Sequence, residues 1–555
     1  MPVIEMSLKD LERLVGRKLP EDTDQLNDIL QFAKGEVERL EGDELAVSIE
    51  DGNRPDLWCV EGVARELRGA LGKETGIPNY KPIKSHYVVK VAGEIGKIRP
   101  FIACAVVRGC NLSEQIIRQL MRQQDKIDTS YGRGRNKSSI GLYDVDKIEW
   151  PIKYTTGNPD TFRFTPLGMD REMNLQEILE QHPKGQEYGH VLAGHAVYPI
   201  FLDYGNRILS FPPVTNSNDI GRITKDTRNV LIEVTGTDWD TVKGVLNIMA
   251  TTLVDRNGKI FEVTIEYPYK IPSGHKKIVT PIMTNERMRI DPEYVNKILG
   301  TSLKHAEIAK LLEKGRYNAA QAGKSISVQV PFYRTDVMHP IDVVEDIAIQ
   351  HGFDNFEAEL KELPTSGGLS KEEIVSDKIR ELCVGIGCQE IMSFTLTNKD
   401  NLFYKMHLEE QPIIKIENPV SSEFTCLRNW VLPNLMQVFA SNKHHDFPQM
   451  LFEVGDCVVP DEVEPTGTRT VRKACIAICQ DKINLTQAKS IAEAIMRNIG
   501  LNYRIENTMH PSFIEHRIGE ITVDGNSVGI FGEIHPQVLL NWGLELSVIA
   551  IEFEI

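Results

Sequence analysis

Arg334-Thr335-Asp336, followed by Pro340-Ile341-Asp342-Val343-Val344-Glu345-Asp346-Ile347-Ala348, is the stretch on which the reading of this chain turns. Its four carboxylates, Asp336, Asp342, Glu345 and Asp346, stand at successive spacings of 6, 3 and 1. Pro340 suits the first turn of a helix, where its missing N–H has no partner to lose. At roughly 100° per residue, Glu345 lies about −60° and Asp346 about +40° around the helix from Asp342, so the three share a face. Asp336, on the segment before the helix, can fold back to join them. Hard oxygen donors grouped in this way suit Mg²⁺, which keeps several waters and takes only one or two carboxylates directly. Acids in a first helical turn also complement the helix dipole with no metal present, and spacing alone leaves both readings open.

The surrounding residues and a second, distant string decide more. Pro331-Phe332-Tyr333-Arg334-Thr335-Asp336, with PIDVVEDIAIQHGFDNF after it, resembles the B5 domain of the phenylalanyl-tRNA synthetase β subunit. Asp51-Gly52-Asn53-Arg54-Pro55-Asp56-Leu57, running into Val60-Glu61-Gly62-Val63-Ala64-Arg65-Glu66-Leu67, resembles the NRPDL…GxARE signature of that subunit's first domain. Two such strings in the family's order are far more specific than either alone, and the resemblance extends over essentially the whole chain. It implies an α+β multidomain fold with a B1 domain over 1–85 and a B3/B4 editing-type domain over 86–268. A small winged-helix-like B5 domain over 269–354 follows, then a class II synthetase-like antiparallel sheet domain over 355–555 that lacks the catalytic motifs.

Composition is compatible with this. With 555 residues the chain is too long for one core. Its 41% hydrophobic and 26% charged content is that of ordinary globular proteins. No apolar run approaches a membrane span, and the N-terminal MPVIEMSLKDLERL lacks a signal peptide's basic and apolar regions. Nine cysteines without a CxxC pair read as packed thiols in a reducing compartment, the cytoplasm. A net charge of −16 excludes a general nucleic-acid coat, which needs clustered Lys and Arg. The best local candidate for an RNA contact is the glycine-loosened basic loop Arg133-Gly134-Arg135-Asn136-Lys137.

Ser7-Leu8-Lys9-Asp10 has the form of a capping box opening a helix that should stop near Gly16. A second helix follows Pro55-Asp56, with Leu57, Val60, Val63, Ala64, Leu67 and Leu71 as its apolar stripe and Asn53-Arg54-Pro55 as its cap. Phe101 to Val107 and Val230 to Val234 read as buried strands, and Ser113 to Gln124 as a helix. Thr75 to Ser85 reads as a linker, and prolines 268 and 272 with Ser273-Gly274 mark a boundary. Ser302 to Glu313 is amphipathic, and Ser325 to Val330 alternates like a strand. Beyond Pro364-Thr365-Ser366-Gly367-Gly368, Ser376 to Val384 reads as a helix and Gln389 to Leu396 as a strand.

Further strings carry the resemblance into the middle of the chain. Gly132-Arg133-Gly134-Arg135-Asn136-Lys137…Ile140-Gly141-Leu142-Tyr143-Asp144, Leu209 to Ser217 and Glu233-Val234-Thr235-Gly236-Thr237 resemble the B3/B4 domain. In that family it houses a hydrolytic site for tyrosine mistakenly attached to the phenylalanine tRNA. The resemblance implies a pocket of Ser210, Asn216, Glu233 and Thr235, with Glu233 accepting the phenol and backbone N–H groups near Gly236 helping water attack the ester. His190 and His195 are weaker candidates for a base. It implies Mg²⁺ at Asp336, Asp342, Glu345 and Asp346, in a structural role.

The implied activity is that of a β subunit of an ATP-dependent phenylalanine–tRNA ligase whose chemistry lies in the α subunit. The last domain shows no glycine-rich run followed by a motif arginine beyond Gly543, and Arg428 has no partner basic loop. Such a domain would serve docking in an α2β2 heterotetramer that contacts tRNA-Phe. The length, without room for an OB-fold insertion, resembles the shorter archaeal and eukaryotic branch. A free-standing editing hydrolase and a scaffold with a decayed pocket are the rival expectations.

Overall fold

The computed structural model describes residues 2–360 and 365–555, which form two compact units divided between Glu359 and Leu360. Of the expected boundary string, Pro364 lies outside the described residues.

The first unit opens on a small antiparallel sheet in which Glu44–Ile49 lies between Val3–Ser7 and Gly35–Glu41. Ser7 caps the helix Leu8–Val15 by accepting from the Asp10 N–H, and the helix stops at Gly16 as its sequence indicates. The helix Val60–Ala70 buries its predicted stripe, but its cap is the Cys59 thiol, 3.3 Å from the Gly62 N–H, not the Asn53-Arg54-Pro55 turn. A Cβ on Gly62 would overlap the Asp56 carbonyl, so glycine is what lets the helix start pressed against that turn.

The middle of the unit is a ten-stranded sheet. Along it run Tyr198–Leu202, Ile152–Gly157, Ile83–Val91, Lys259–Glu266, Phe101–Arg108, Asn229–Gly236 and Ser138–Asp144, with Ile208–Phe211 and Thr215–Asn216 at the first edge and Lys277–Thr280 paired with Lys259–Glu266. Phe101–Arg108 and Asn229–Gly236 are buried on both faces, which is why they read as unbroken apolar runs. The helix Trp239–Val254 packs against both strands. One core spans the small sheet and the large one, running from Ile4 through Val63, Val106, Ile232 and Leu246 to Tyr333. The expected linker gives way at Ile83 to a strand of the large sheet.

A three-stranded sheet of Glu286–Ile290, Ser325–Val330 and Asn318–Ala322 carries the helices Pro292–Leu299, His305–Lys314 and Pro340–His351 around its own core.

The second unit is built on a seven-stranded sheet whose centre is Gln449–Pro460, Thr468–Gln480, Ser547–Glu554, Asn526–Ile534 and Phe513–Val523. In Thr468–Gln480, residues Ala474, Ile476 and Ile478 face one core while Cys475, Ala477 and Cys479 face another. The helices Lys371–Ile386 and Leu485–Asn498 contribute to the first of these cores, and Leu432–Ser441 and Pro536–Trp542 to the second. The strand expected over Gln389 to Leu396 is only Gln389–Glu390, with Leu396–Thr397 in a separate two-stranded pairing. Ser393 between them turns instead to bond the buried Glu453 carboxylate. All nine cysteines are buried and free. Among the described residues no helix is long and apolar enough to cross a membrane.

Candidate functional site

Two sites emerge in the first unit, a cavity in the large sheet and a buried network of charges.

The cavity encloses about 610 Å³. Its walls include Leu142, Ser210, Phe211, Asn216 and Glu233, with Lys184 and Arg222 also on its lining. Glu233 is 2% exposed. Its Oε2 accepts from the Tyr143 hydroxyl at 2.8 Å, and the same hydroxyl lies 2.8 Å from Ser210 Oγ. Oε1 of Glu233 is buried and has no partner. Burial pushes the Glu233 carboxyl up to about 7, against the lowering effect of the Tyr143 and Thr235 hydroxyls and of Arg99. Asn216 lines the cavity and donates from Nδ2 to the carbonyls of Leu142 and Gly221.

Thr235 is fully buried and is not part of the cavity lining, and its Oγ accepts from Arg99 Nε at 3.0 Å. It shares Glu233's face of the strand, two residues along; Arg99 also donates to the carbonyls of Arg135, Asn136 and Thr235 and to Ser139 Oγ. This guanidinium ties the 133–137 loop to the strand Asn229–Gly236. Arg135, part of the basic loop offered as an RNA contact, turns inward: it bonds the carbonyls of Pro213 and Val214 at 2.9 Å and lies 4.1 Å over the Tyr188 ring. Gly236, His190 and His195 do not line the cavity. Sequence reasoning assigned no role in the cavity to Tyr143 or Arg99, and gave Arg135 only a place in a candidate RNA-contact loop. An isolated glycine inside a strand, Gly141, was the one available signal of a close approach there.

The second site joins the two strings that opened the sequence reading. Arg334 forms a two-point pair with Asp336, Nε–Oδ1 2.8 Å and Nη2–Oδ2 2.6 Å, and its Nη2 also reaches Asp346 at 2.8 Å. Arg54 pairs with Asp56 at 2.9 Å, reaches Glu66 at 3.2 Å and lies 3.9 Å from Asp336. Lys34 meets Asp51, Glu345 at 3.1 Å and Asp346 at 3.8 Å. Burial opposes the charge on Asp346, yet Arg334, Arg54 and Lys34 hold its carboxyl below the usual range. Asp336 is held well below that range in the same way, chiefly by Arg334 against its burial.

Asp342 stands apart, its Oδ2 accepting from the Met338 and His339 N–H groups at 2.8 Å as part of the helix cap. The four acids therefore share one neighbourhood but divide their oxygens among cations and backbone. Among the described residues no three acids, histidines or cysteines converge on a point where a metal would sit.

The family model for the tRNA synthetase B5 domain matches residues 288–353, and that for the phenylalanyl tRNA synthetase beta chain CLM domain matches 357–555. Domains of this kind define the chain as a subunit of an aminoacyl-tRNA synthetase. The phenylalanine–tRNA ligase beta subunit of Thermococcus kodakarensis is 39% identical over 100% of this chain and 98% of its own length. That of Pyrococcus furiosus is 40% identical over 100% and 99%. The chain belongs to the phenylalanine–tRNA ligase β-subunit family. A crystal structure of an N-terminal fragment of the phenylalanyl-tRNA synthetase β subunit from Pyrococcus horikoshii matches 63% of this chain and all of the fragment, at 38% identity and a TM-score of 0.60.

Two measurements follow. Arg334→Met leaves Asp336 and Asp346 buried without their shared counter-charge, and denaturant unfolding should show a loss of about 3–5 kcal/mol; a loss below 1 kcal/mol would mean the network is not a structural element. Glu233 binds its proton more tightly folded than unfolded, so between the ordinary carboxylate range and about 7 the folded state holds more protons and stability falls as pH rises. Glu233→Gln removes that burden, and its thermal midpoint should gain on wild type at about pH 8 but not at about pH 5.

Proposed function

We propose that this β subunit hydrolyses tyrosine mistakenly esterified to the phenylalanine tRNA, with the cavity beside Glu233 as the editing site. One observation carries the reading: a buried carboxylate oxygen, Glu233 Oε1, without a partner in a cavity large enough for an aromatic side chain. An apolar phenylalanine pocket rejects the extra hydroxyl of tyrosine only weakly, by about 10²-fold. A second site that pairs with that hydroxyl selects the other way. Phenylalanine in it leaves Oε1 unpaired, at a cost of roughly 1–3 kcal/mol. Ser210 and Asn216 complete the polar lining. Thr235, two residues along the same face, supports the site by holding Arg99. Water attacks the ester carbonyl, and the tRNA's terminal hydroxyls are the groups left to assist it, since the candidate histidines lie elsewhere.

The second unit is proposed as the docking surface for the α subunit in an α2β2 assembly that charges tRNA-Phe in the cytoplasm. Arg428 supports an inactive role for it. The guanidinium is buried and consumed by Glu453 at 2.7 Å, Ser393 Oγ and the Asp456 carbonyl, so it is withheld from any phosphate. Met392, Phe394 and Val420, at 96%, 72% and 106% exposure, are apolar side chains in want of a partner.

Mg²⁺ is proposed at the acidic helix as a hydrated ion held by Asp342 and Glu345, with Asp336 and Asp346 behind them. The donors are hard oxygens. The network also sets six carboxylates (Asp51, Asp56, Glu66, Asp336, Glu345, Asp346) against three cations (Lys34, Arg54, Arg334), a surplus that a divalent ion offsets. The ion when bound supplies charge compensation and takes no part in ester hydrolysis.

Deacylation of tyrosyl-tRNA(Phe) by the chain co-purified with its α subunit tests the first reading. Wild type should release tyrosine, and Glu233→Ala should slow the release about tenfold or more while phenylalanine charging persists. No release by wild type would reduce the chain to a scaffold, and failure to co-purify with α would remove the docking role. For the metal, millimolar Mg²⁺ should raise the thermal midpoint of the wild-type complex, and Asp342→Asn with Glu345→Gln should abolish the increment. An equal increment in the double variant would place the ion elsewhere.

A further inference from the structure

The register of the large sheet sets Gly141 directly across from Glu233, with Tyr143 two residues further along the same face. A Cβ on Gly141 would overlap both Tyr143 Oη and Glu233 Oε2. The missing side chain is what lets phenol and carboxylate meet. Tyr143 is fully buried, and its ring packs 5.9 Å from that of Phe201. Its hydroxyl has one proton and two neighbours at 2.8 Å, Ser210 Oγ and Glu233 Oε2, of which the ionised carboxylate is the stronger acceptor.

We infer that Tyr143 is the specificity-determining residue of this cavity, a resident phenol that holds the Glu233 carboxylate by one oxygen and leaves the other for the phenol of a tyrosyl ligand. The inference rests on the editing reading and names the group that sets its preference. A glutamate side chain left to itself exchanges rotamers, and ordering it on binding weakens the ligand's hydrogen bond. Tied at Oε2, it meets the ligand already oriented. The ligand's phenol then makes a charge-assisted bond that phenylalanine cannot make, and the unpaired Oε1 penalises phenylalanine.

The arrangement also ties selectivity to pH. The titratable groups that act on Glu233 are Tyr143 on the neighbouring strand, Cys104 across the other side, and Arg99 and Tyr154 below. The Tyr143 and Thr235 hydroxyls and Arg99 favour the ionised form against the desolvation that pushes the group to about 7. Without the Tyr143 hydroxyl the carboxyl stays protonated to higher pH, so the preference for tyrosine should set in later as pH rises.

The test is deacylation of tyrosyl- and phenylalanyl-tRNA(Phe) by the complex with α, measured from about pH 6 to about pH 9, for wild type, Tyr143→Phe, Ser210→Ala and Glu233→Gln. In Tyr143→Phe the KM for the tyrosyl ester should rise about tenfold with kcat little changed. Its tyrosyl-to-phenylalanyl preference should fall accordingly, and the pH midpoint of that preference should move upward. Ser210→Ala, which removes the second group holding the phenol, should shift both quantities the same way by less, and carries the test if Tyr143→Phe does not fold. Wild-type preference and midpoint in these variants, with the preference lost in Glu233→Gln, would overturn the inference while leaving the editing site in place. Unchanged preference in Glu233→Gln would instead remove the editing reading itself.

Discussion

Two guanidinium groups, Arg54 and Arg334, lie near enough in the protein interior for each to work against the other's charge, in a region where neither meets water. Such a pair is tolerable only because carboxylates surround it: Asp56 and Glu66 on one side, Asp336 and Asp346 on the other. Buried charges of this kind add little net stability when complete, yet removing any one member is costly. The constraint reaches outward. It fixes the turn before Val60–Ala70 against the segment before Pro340–His351, and so joins parts of the first unit that are far apart in sequence. Lys34 extends the same network to the small sheet's neighbourhood through Asp51.

The large sheet solves a related problem on its own terms. Arg99 places a charge in the interior and satisfies it with carbonyl and hydroxyl oxygens, with no carboxylate among its hydrogen-bond partners. Burial accordingly holds its guanidinium below the usual range. The reward of that arrangement is a firm back wall: the loop carrying Arg135 is pinned to the strand carrying Glu233, and Arg135 in turn pins the Pro213–Val214 segment beside the cavity. The ligand space is thus bounded by backbone that has few other places to go, and Glu233 on its lining keeps one buried carboxylate oxygen without a partner.

Much of this was legible in the sequence where periodicity governs. The stripe Leu57, Val60, Val63, Ala64, Leu67 is buried as its spacing requires, and the runs at 101–108 and 229–236 are central strands. Arg54 and Arg334 were visible as parts of motifs, but not as partners, because the contact between them depends on how distant segments fold together. The acids of the Pro340 helix illustrate the limit from the other side. Helical spacing correctly puts Glu345 and Asp346 near one another, but not that Lys34 stands between them, nor that Asp342 turns back to its own helix cap. Thr235 shares Glu233's face as strand alternation requires, but that Arg99 engages its hydroxyl could not be read from spacing. Tyr143 was hidden for the opposite reason, since a tyrosine in an apolar strand reads as core until the glycine two residues before it is considered.

The continuous core from Ile4 to Tyr333 has a consequence for how the chain is made. The first strand to leave the ribosome cannot finish burying its apolar face until residues more than half the chain away have been synthesised. At about 5–20 residues per second, translation takes roughly 15–70 s to reach that point. During that interval the early helices and strands must persist as loosely packed intermediates with apolar surface exposed. Long-range closure of this kind is slow for entropic reasons, so the nascent β chain stands to lean on chaperones well before its partner subunit is at hand.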